Sequence, residues 1–232
     1  PTFWIMKRSI ITTSDGSKTI QIEEWKEQYH SLHGAIQESQ HVFIKTGLHH
    51  FLNLYKPTAV HILEIGFGTG LNAFVTALEA QRQDVQIHYE GVEAYPVLSE
   101  ELSQLNYASL IDPNQHTVFD ALHDLSWEEL HPIAPHFSLK KRQQFFADIQ
   151  DKNIFDLIYF DAFGARVQPE LWTESIFKRM FNALKTHGVL VTYAAKGSVR
   201  RAMQSVGFVV ERLEGPPGKR EMLRATKPHE VC

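Results

Sequence analysis

The feature that most constrains the fold of this chain is a glycine-spaced turn behind a short apolar run. Residues 61–65 are mostly apolar, Gly66, Gly68 and Gly70 follow at alternate positions, and residues 73–80 have a helix-forming composition. This order predicts a strand, a tight turn and the N-terminus of a helix. Such turns bind nucleotide-like ligands, because a Cβ atom at the glycines would block the approach of the ligand to the backbone. A strand-to-helix turn without a ligand is the alternative.

The residues around the turn indicate the charge of its ligand. A dinucleotide-binding turn would have its third glycine at position 71, which is Leu71. Glu64 precedes the first glycine, and its carboxylate would repel a pyrophosphate but attract an ammonium or sulfonium group. S-Adenosylmethionine carries both of these groups and is therefore the predicted cofactor. The cofactor contacts predicted from this segment are Glu64, Gly66, Phe67, Gly68, Thr69, Gly70 and Asn72.

Acidic residues also follow three further predicted strands. These strands, 85–92, 116–119 and 155–160, end at Glu93, Asp120 and Asp161. In open parallel sheets ligands bind beyond the carboxyl ends of the strands, so we expect these acids to converge with Glu64 on one crevice. We expect Glu93 to accept hydrogen bonds from the ribose hydroxyls, and Asp120, with Ala121 beside it, to contact the adenine.

The rest of the pattern predicts a single α/β fold. Its predicted elements are a hairpin around Asp15 and Gly16, a helix 44–54, an irregular or helical insertion 125–152, a helix 169–184, a strand 189–194, a helix capped by Ser198, and closing strands 208–213 and 221–226. They fit a class I S-adenosylmethionine-dependent methyltransferase fold, which is Rossmann-like, with a seven-stranded, mostly parallel sheet and a terminal antiparallel hairpin. Residues 1–56 form a small N-terminal extension with its own β-hairpin, and residues 57–232 form the methyltransferase domain.

Composition excludes several classes of protein. No apolar run approaches the roughly 20 residues of a membrane span, and no signal-peptide pattern is present, so a cytoplasmic location is expected. The single cysteine, Cys232, can form neither an internal disulfide nor a cysteine-rich zinc site. His30, His33 and Glu38 fit no well-spaced set of metal ligands, and no metal is predicted.

Charge is distributed unevenly along the chain. The net charge is −4, but the segment from Lys196 onward has eight basic and four acidic residues, a net +4 that leaves −8 for the preceding part. A basic patch on an acidic body can bind a polyanion at one edge. Solvated side chains on helix and strand faces would give the same composition.

Four blocks of sequence carry a more specific signal. They are Gly66–Asn72, Asp161–Phe163 with Pro169–Trp172, Val199–Arg201 with Gly207–Phe208, and Gly218–Leu223. Together they resemble the methyltransferase family formed by the N-terminal domain of the bifunctional tRNA wobble-uridine enzyme MnmC and the free-standing MnmD. The resemblance implies methyl transfer from S-adenosylmethionine to the amine of 5-aminomethyl-2-thiouridine in tRNA, which gives the 5-methylaminomethyl form. The chain ends at residue 232, so the flavin-dependent domain of MnmC and its FAD are not expected here.

The chemistry of this methyl transfer and the positions of individual residues predict their roles. Asp161 would orient the acceptor amine and take up its proton, and Phe163 would stack on the uracil ring or form the wall of the pocket. Residues 164–166 depart from the Ala-Pro pattern of the family, which leaves the loop over the acceptor pocket open. The acceptor side would be lined by Tyr29, His30 and His33. Phosphates around the anticodon loop would be contacted by Lys196, Arg200, Arg201, Lys219 and Arg220. A separate FAD-dependent oxidoreductase acting upstream is the expected partner.

Two other functions fit the same pattern. An aminopropyltransferase of the spermidine synthase kind shares the sheet and has an acid after the fourth strand, although its glycine turn usually contains an acid where this chain has Phe67 and Thr69. A non-catalytic RNA-binding protein on the same fold is the second alternative, and the four acids at strand ends argue against it.

Overall fold

The computed structural model describes residues 6–229, so Cys232 lies outside the described residues. The chain forms a small sheet near its N-terminus and a large sheet packed between helices. The strands are β1 (Arg8–Thr12), β2 (Lys18–Ile22), β3 (Glu27–Gln28), β4 (Ala59–Ile65), β5 (Gln86–Val92), β6 (Leu130–Ala134), β7 (Phe137–Arg142), β8 (Phe155–Phe160), β9 (Leu184–Thr192), β10 (Val209–Glu214) and β11 (Glu221–Thr226).

Helices cover both faces of the large sheet. They are α1 (Ala35–Ser39), α2 (His50–Tyr55), α3 (Leu71–Gln83), α4 (Ser99–Leu102), α5 (Tyr107–Ile111), α6 (His116–Asp124), α7 (Glu174–Ala183) and α8 (Gly197–Ser205). A π-helical segment, Gln40–His49, joins α1 to α2. Short 3₁₀ turns occur at Pro113–Gln115, Phe146–Asp148 and Pro169–Trp172. Within residues 6–229, no helix combines the length and the apolar character that crossing a bilayer requires.

The large sheet has the predicted plan with one additional strand. Its order is β10-β11-β9-β8-β4-β5-β7-β6, in which β7, β5, β4, β8 and β9 run parallel. The terminal hairpin is confirmed, because β11 pairs antiparallel with both β10 and β9. The sheet contains eight strands rather than seven, since β6 pairs antiparallel with the edge strand β7.

Alternate residues of the central strands supply the two cores. On β4, Ile62 faces the core formed with α1, α3 and α6, whereas Leu63 and Ile65 face the core formed with α7 and α8. A parallel sheet buried on both faces needs apolar residues at almost every position. This requirement explains the continuous apolar runs from which β4 and β8 were predicted.

The predicted N-terminal hairpin is confirmed and extended. Strands β1 and β2 pair antiparallel around a turn in which Gly16 has φ +82°. Strand β3 adds a third strand to this small sheet. The turn is further held by Asp15, whose carboxylate accepts a hydrogen bond from the backbone amide of Ser17 at 3.1 Å.

The helical stretch 35–55 contains the predicted helix and packs into the large core. Val42, Phe43 and Leu48 are buried against the sheet. Gly47 permits this close packing, since a Cβ atom there would lie 2.9 Å from a methyl group of Val191. The boundary at residue 56 stays a prediction, but the helix before it shares its core with the strands after it.

The predicted strand 116–119 is wrong, and so is the insertion predicted at 125–152. Residues 116–124 form the amphipathic helix α6, which buries Val118, Phe119 and Leu122. The third parallel strand is instead β7, inside the predicted insertion. Val118 and Phe119 are only two adjacent apolar residues, and so short a run is compatible with either a strand or a helix. Strand β7 ends in three basic residues, so its sequence does not show that the strand is buried. Lys141 is an example, because its buried side chain donates a hydrogen bond to the carbonyl of His123 at 2.8 Å.

Two helix boundaries also differ from the sequence prediction. The predicted helix 169–184 consists of a 3₁₀ turn followed by α7, whose N-cap Thr173 accepts a hydrogen bond from the backbone amide of Ile176. Strand β9 already begins at Leu184. Helix α8 has Lys196 rather than Ser198 as its N-cap, and no side chain caps its first turn.

Replacement of Phe43 tests whether the helical stretch 35–55 belongs to the main folding unit. The ring of Phe43 is 1% exposed, and its centroid lies 5.1 Å from that of Tyr159 on β8. We expect Phe43→Ala to lower the free energy of unfolding by about 3–5 kcal/mol in one cooperative urea transition. Leu54→Ala, at a site 58% exposed, is the matched control and should change stability by less than about 0.5 kcal/mol. A separate early transition in the Phe43 variant would contradict this assignment.

Candidate active site

The turn between β4 and α3 has the predicted glycine conformations. Gly66, Gly68 and Gly70 have φ values of +89°, +49° and +75°, which L side chains rarely adopt. A Cβ atom on Gly66 would lie 2.6 Å from the carbonyl oxygen of Asp161, and one on Gly68 would lie 3.1 Å from the ring of Tyr29. The turn therefore brings its backbone against the end of β8 and against the N-terminal segment.

A cavity of about 650 Å³ opens beside this turn. Its walls include Gly66 and Gly68 from the turn, Glu93 beyond β5, Asp161 beyond β8, and Tyr29 from the N-terminal segment. The cavity thus lies at the carboxyl ends of the parallel strands, where ligands bind in open α/β sheets. Its volume is in the range of pockets for small molecules and cofactors.

Glu93 ties the glycine turn to the end of β5. One of its carboxylate oxygens accepts a hydrogen bond from the backbone amide of Gly68 at 3.1 Å, and the other accepts one from Tyr95 at 3.0 Å. Burial raises the pKa of Glu93, while these backbone hydrogen bonds lower it. Each carboxylate oxygen keeps a free lone pair after such a bond, so Glu93 can accept further hydrogen bonds from a ligand in the cavity.

A single amide holds two acids at the wall of the cavity. The Nδ2 atom of Asn72 donates to Glu64 and to Asp161, each at 2.9 Å, while its Oδ1 accepts from the hydroxyl of Ser39 at 2.6 Å. Glu64 is 1% exposed and also accepts a hydrogen bond from the hydroxyl of Tyr89 at 2.8 Å. Neither Glu64 nor Asn72 lines the cavity, so the structure places both of them where they support Asp161.

Asp161 is the acid of this group that lines the cavity, and its affinity for a proton is high. Burial raises the pKa of Asp161 to about 8, and the nearby carboxylate of Glu38 adds to this effect. The hydrogen bond from Asn72 and the positive charge of Lys219 act in the opposite direction. A carboxyl group with a pKa of about 8 exchanges protons at physiological pH, as a general base must.

Aromatic side chains form the opposite wall. The ring of Phe163 lies edge-on to the rings of Tyr29 and Trp25, with centroid distances of 4.8 and 5.6 Å. The indole nitrogen of Trp172 donates to the carbonyl of Phe163 at 2.7 Å and fixes its backbone. Arg166, in the loop that departs from the family pattern, donates to the carbonyl of Trp25 at 2.8 Å. This loop is therefore tied to the N-terminal segment.

The two predicted acceptor-side histidines line the cavity in different ways. His30 is 7% exposed, with ring nitrogens 3.0 Å from the hydroxyl of Thr19 and 3.3 Å from that of Thr69, and burial lowers its pKa to about 4. His33 packs against Gly218, where a Cβ atom would overlap the imidazole ring. Among residues 6–229, no cluster of three or more His, Cys, Asp or Glu side chains is arranged to hold a metal ion.

The predicted basic residues differ in their surroundings. Lys219 lines the cavity and forms an ion pair of 2.7 Å with Glu38. Arg220 follows it and is exposed, as are Lys196 and Arg201, whereas Arg200 is half-buried. These residues occupy the N-terminal end of α8 and the loop between β10 and β11.

Asp120 is not where the sequence analysis expected it. It lies on α6 rather than at a strand end, as does Ala121, and Asp120 lines a second cavity of about 320 Å³. Phe67 faces the same cavity, and Gly68 and Glu93 line both cavities. The adenine contacts of Asp120 and Ala121 were predicted on the assumption that a parallel strand ends at Asp120, and the structure has a helix there instead.

Several cavity residues were missed by the sequence analysis. The segment that follows β7, the third parallel strand, contributes Phe145, Phe146 and Ala147 to the cavity wall. The alternation of Phe137, Leu139 and Lys141 was the available signal for β7, since successive strand residues point to opposite faces. Glu38 and Tyr193 also line the cavity. No local pattern marks them, because they reach it only through tertiary packing.

The cavity fits S-adenosylmethionine better than a dinucleotide. The glycine backbone at Gly66 and Gly68 leaves room that side chains would fill, and the acids that line the space include Glu93 and Asp161. Among the described residues that line it, no arginine is present, and the positive charge of Lys219 is paired with Glu38. Such a site favours a ligand with a sulfonium and an ammonium group over a polyphosphate.

Comparison with known proteins agrees with this architecture. Residues 142–228 match a family described as S-adenosyl-L-methionine-dependent methyltransferase. The crystal structure of MnmC2 from Aquifex aeolicus superposes with a TM-score of 0.74 at 23% identity and covers 98% of this chain and 72% of that one. A spermidine synthase from Thermotoga maritima superposes with a TM-score of 0.59 at 14% identity, covering 98% and 71% of the two chains. These superpositions establish the predicted fold.

Sequence comparison extends the relationship over most of the chain. The tRNA 5-methylaminomethyl-2-thiouridine biosynthesis bifunctional protein MnmC of Burkholderia thailandensis is 29% identical over 94% of this chain and 35% of its own length. The protein of the same name from Leptospira borgpetersenii is 29% identical over 84% of this chain and 31% of its own length. The chain thus spans about a third of the length of these relatives. The resemblance predicted from the motifs is confirmed: this chain is similar to the MnmC proteins over most of its length, and it has the fold of S-adenosylmethionine-dependent methyltransferases.

Proposed function

We propose that this chain is an S-adenosylmethionine-dependent N-methyltransferase that acts on the wobble position of tRNA. The acceptor is the amine of 5-aminomethyl-2-thiouridine, and the product is the 5-methylaminomethyl form. The observation that carries this proposal is the position of Asp161, a carboxyl group with a pKa of about 8 in a cavity between a glycine turn and an aromatic wall. The names of the relatives in tRNA modification support the choice of acceptor.

The chain's own residues supply the binding of the donor. Bound S-adenosylmethionine provides a methyl group activated by a sulfonium. The backbone of Gly66 and Gly68 would hold its methionyl and adenosyl parts, and Glu93 would accept hydrogen bonds from the ribose hydroxyls. The aromatic residues Tyr95 and Phe146, which line the same part of the cavity, would contact the adenine.

The reaction requires a base that deprotonates the acceptor amine, whereas the thioether leaving group needs no protonation by an acid. An alkyl amine is mostly protonated near neutral pH, and its lone pair is then unavailable. Asp161 accepts this proton, and Asn72 keeps the Asp161 carboxyl facing the cavity. The rings of Phe163 and Tyr29 exclude water and offer an edge or a face to the uracil ring.

Phosphate contacts are assigned to the basic residues beside the cavity. Lys196, Arg200, Arg201 and Arg220 lie on the segments that carry Tyr193 and Lys219 into the cavity wall, so a tRNA loop bound there would have its base within reach. A preceding reaction must release the free amine by removing a carboxymethyl group, and a FAD-dependent oxidoreductase fits that chemistry. A tRNA substrate implies a cytoplasmic location.

Asp161→Asn tests the proton acceptor. Asparagine keeps an oxygen for the hydrogen bond from Asn72 but cannot take up a proton, so we expect kcat to fall about 10²- to 10⁴-fold. The Kd for S-adenosylmethionine, measured by calorimetry, should change less than about threefold. Asp84→Asn is the matched control, since Asp84 lies at the far end of α3, is 89% exposed and has a φ of +51° that asparagine tolerates. Equal losses of turnover and donor binding in the Asp161 variant would leave it only a binding role.

Charge reversal at the basic residues tests the tRNA interface. We expect the double variant Arg201→Glu, Arg220→Glu to weaken tRNA binding about 10- to 100-fold and to reduce the slope of log K against log salt by about 2. Binding of S-adenosylmethionine should stay unchanged. Lys152→Glu changes an exposed lysine just before the amino end of β8, whereas the cavity lies at the carboxyl ends of the strands, and it should leave tRNA affinity unaltered. Equal affinity of the double variant and the wild type would refute the interface.

Product analysis decides between the proposed function and its rivals. The chain is incubated with labelled S-adenosylmethionine and tRNA that carries the aminomethyl nucleoside, and the nucleosides are then separated. Label in the methylaminomethyl nucleoside is the expected result. A parallel incubation with decarboxylated S-adenosylmethionine and putrescine tests the aminopropyltransferase, whose fold is similar. Failure to bind either donor would favour a non-catalytic RNA-binding protein.

A further inference from the structure

An ion pair between a buried acid and a half-buried lysine, which the mechanism does not use, lies in the wall of the cavity. Glu38, on α1, is 4% exposed and accepts a hydrogen bond from the Nζ of Lys219 at 2.7 Å. The other oxygen of Glu38 accepts from the backbone amide of Ser31 at 3.0 Å. The Nζ of Lys219 also lies 3.9 Å from the centroid of the Tyr193 ring, a distance typical of a cation–π contact.

Such a pair is weak evidence for a stabilising role. Burial of the Glu38 carboxylate carries a desolvation penalty, and its attraction to Lys219, whose side chain is 32% exposed, is weakened by solvent. Glu38 and Lys219 are also 181 positions apart in sequence and meet at the space where the acceptor amine is proposed to bind. The location therefore points to the chemistry of the cavity rather than to folding.

The pair is linked to Asp161 in two ways. Its charges act on the Asp161 carboxyl in opposite directions, since Glu38 raises the pKa of Asp161 and Lys219 lowers it. Helix α1 also contacts the acid through the neighbour of Glu38: Ser39 donates to Asn72, and Asn72 donates to Asp161. Helix α1 thus influences both the charge and the orientation of this carboxyl.

We propose that Glu38 and Lys219 are positioning residues that set the protonation of Asp161, so that it accepts a proton from an alkylammonium acceptor and releases it after turnover. This inference rests on the proposed function. In the step, the N–H bond of the acceptor breaks, an O–H bond forms on Asp161, and the freed lone pair forms the new N–C bond as the donor methyl leaves its sulfur as a thioether. Without Glu38 the carboxylate is a weaker base; without Lys219 a larger fraction of Asp161 is already protonated and unable to accept the proton.

Other titratable groups around Asp161 belong to different elements of the fold. The groups whose charges couple to Asp161 are Glu38 on α1, Glu64 on β4, Tyr89 on β5, Tyr193 beyond β9 and Lys219 in the loop between β10 and β11. Burial raises the pKa of Glu64 well above its usual value, and it raises the pKa of Tyr89 and of Tyr193 above the usual value of a tyrosine. Of these groups, only Glu38 and Lys219 act directly on the pKa of Asp161 through their charges. Glu38 and Lys219 are therefore the pair to vary.

The test measures the titration of Asp161 directly, without donor or tRNA. The full chain is labelled with ¹³C at the aspartate carboxyls, and Asp161→Asn identifies the signal of Asp161. We expect Glu38→Gln to lower the titration midpoint by about half a pH unit or more, and Lys219→Met to raise it by a similar amount. The double variant should return towards the wild-type midpoint. Glu27→Gln is the matched control, because Glu27 lines the same cavity but pairs with Arg166, and it should leave the midpoint unchanged.

The pH profile of methylation is the second readout. With saturating donor and tRNA, the acidic limb of kcat should move to lower pH in Glu38→Gln and to higher pH in Lys219→Met. Lys219→Arg keeps the positive charge and should give the midpoint of the wild type. If the methionine variant does not fold, a shifted midpoint in Lys219→Arg would contradict the role assigned to this charge. An Asp161 midpoint that stays constant in both charge variants would overturn the inference while leaving the methyltransferase intact. A chain that shows the predicted midpoints but methylates no tRNA would instead refute the proposed function.

Discussion

The interaction on which the site depends is the bridge that the Asn72 amide makes between two carboxyl groups. Glu64 and Asp161 lie at the carboxyl ends of the neighbouring strands β4 and β8. Two ionised carboxylates buried this close together would repel each other. One NH₂ group donates to both acids, and Ser39 fixes the orientation of that amide by donating to its oxygen. The four side chains form a satisfied polar network, which is rigid because any rotation of the amide would leave buried groups without partners.

This network divides the acids between structure and chemistry. Glu64 uses its oxygens on Asn72 and Tyr89 and stays behind the wall, whereas Asp161 uses one oxygen on Asn72 and keeps the other for the cavity. Glu93 has a third role, since it holds the glycine turn through the amide of Gly68. Three carboxyl groups that look equivalent at strand ends in the sequence thus differ because of the donors that surround them.

Elements that depend on local sequence were predictable, and those that depend on tertiary contacts were not. The turn at Gly66, the strands β4 and β8, and the terminal hairpin were predicted because apolar runs and glycine conformations are local properties. Strand β7 was missed because it contains the buried lysine Lys141. This side chain is accommodated by a hydrogen bond to a carbonyl and by contact with Trp127, and neither contact can be recognised from the hydropathy of the sequence. Asp120 was misplaced for the same reason. Glu38 was considered only as a metal ligand, since nothing near it in sequence indicates Lys219 as its partner.

The wall of the cavity is closed by contacts between segments that lie far apart in sequence. Gly218 accommodates the ring of His33, and Lys219 reaches Glu38 across 181 positions of sequence. During synthesis on the ribosome, the glycine turn and Asp161 therefore exist long before the pocket around them is complete. The wall of the cavity is therefore complete only after the β10–β11 hairpin has left the exit tunnel.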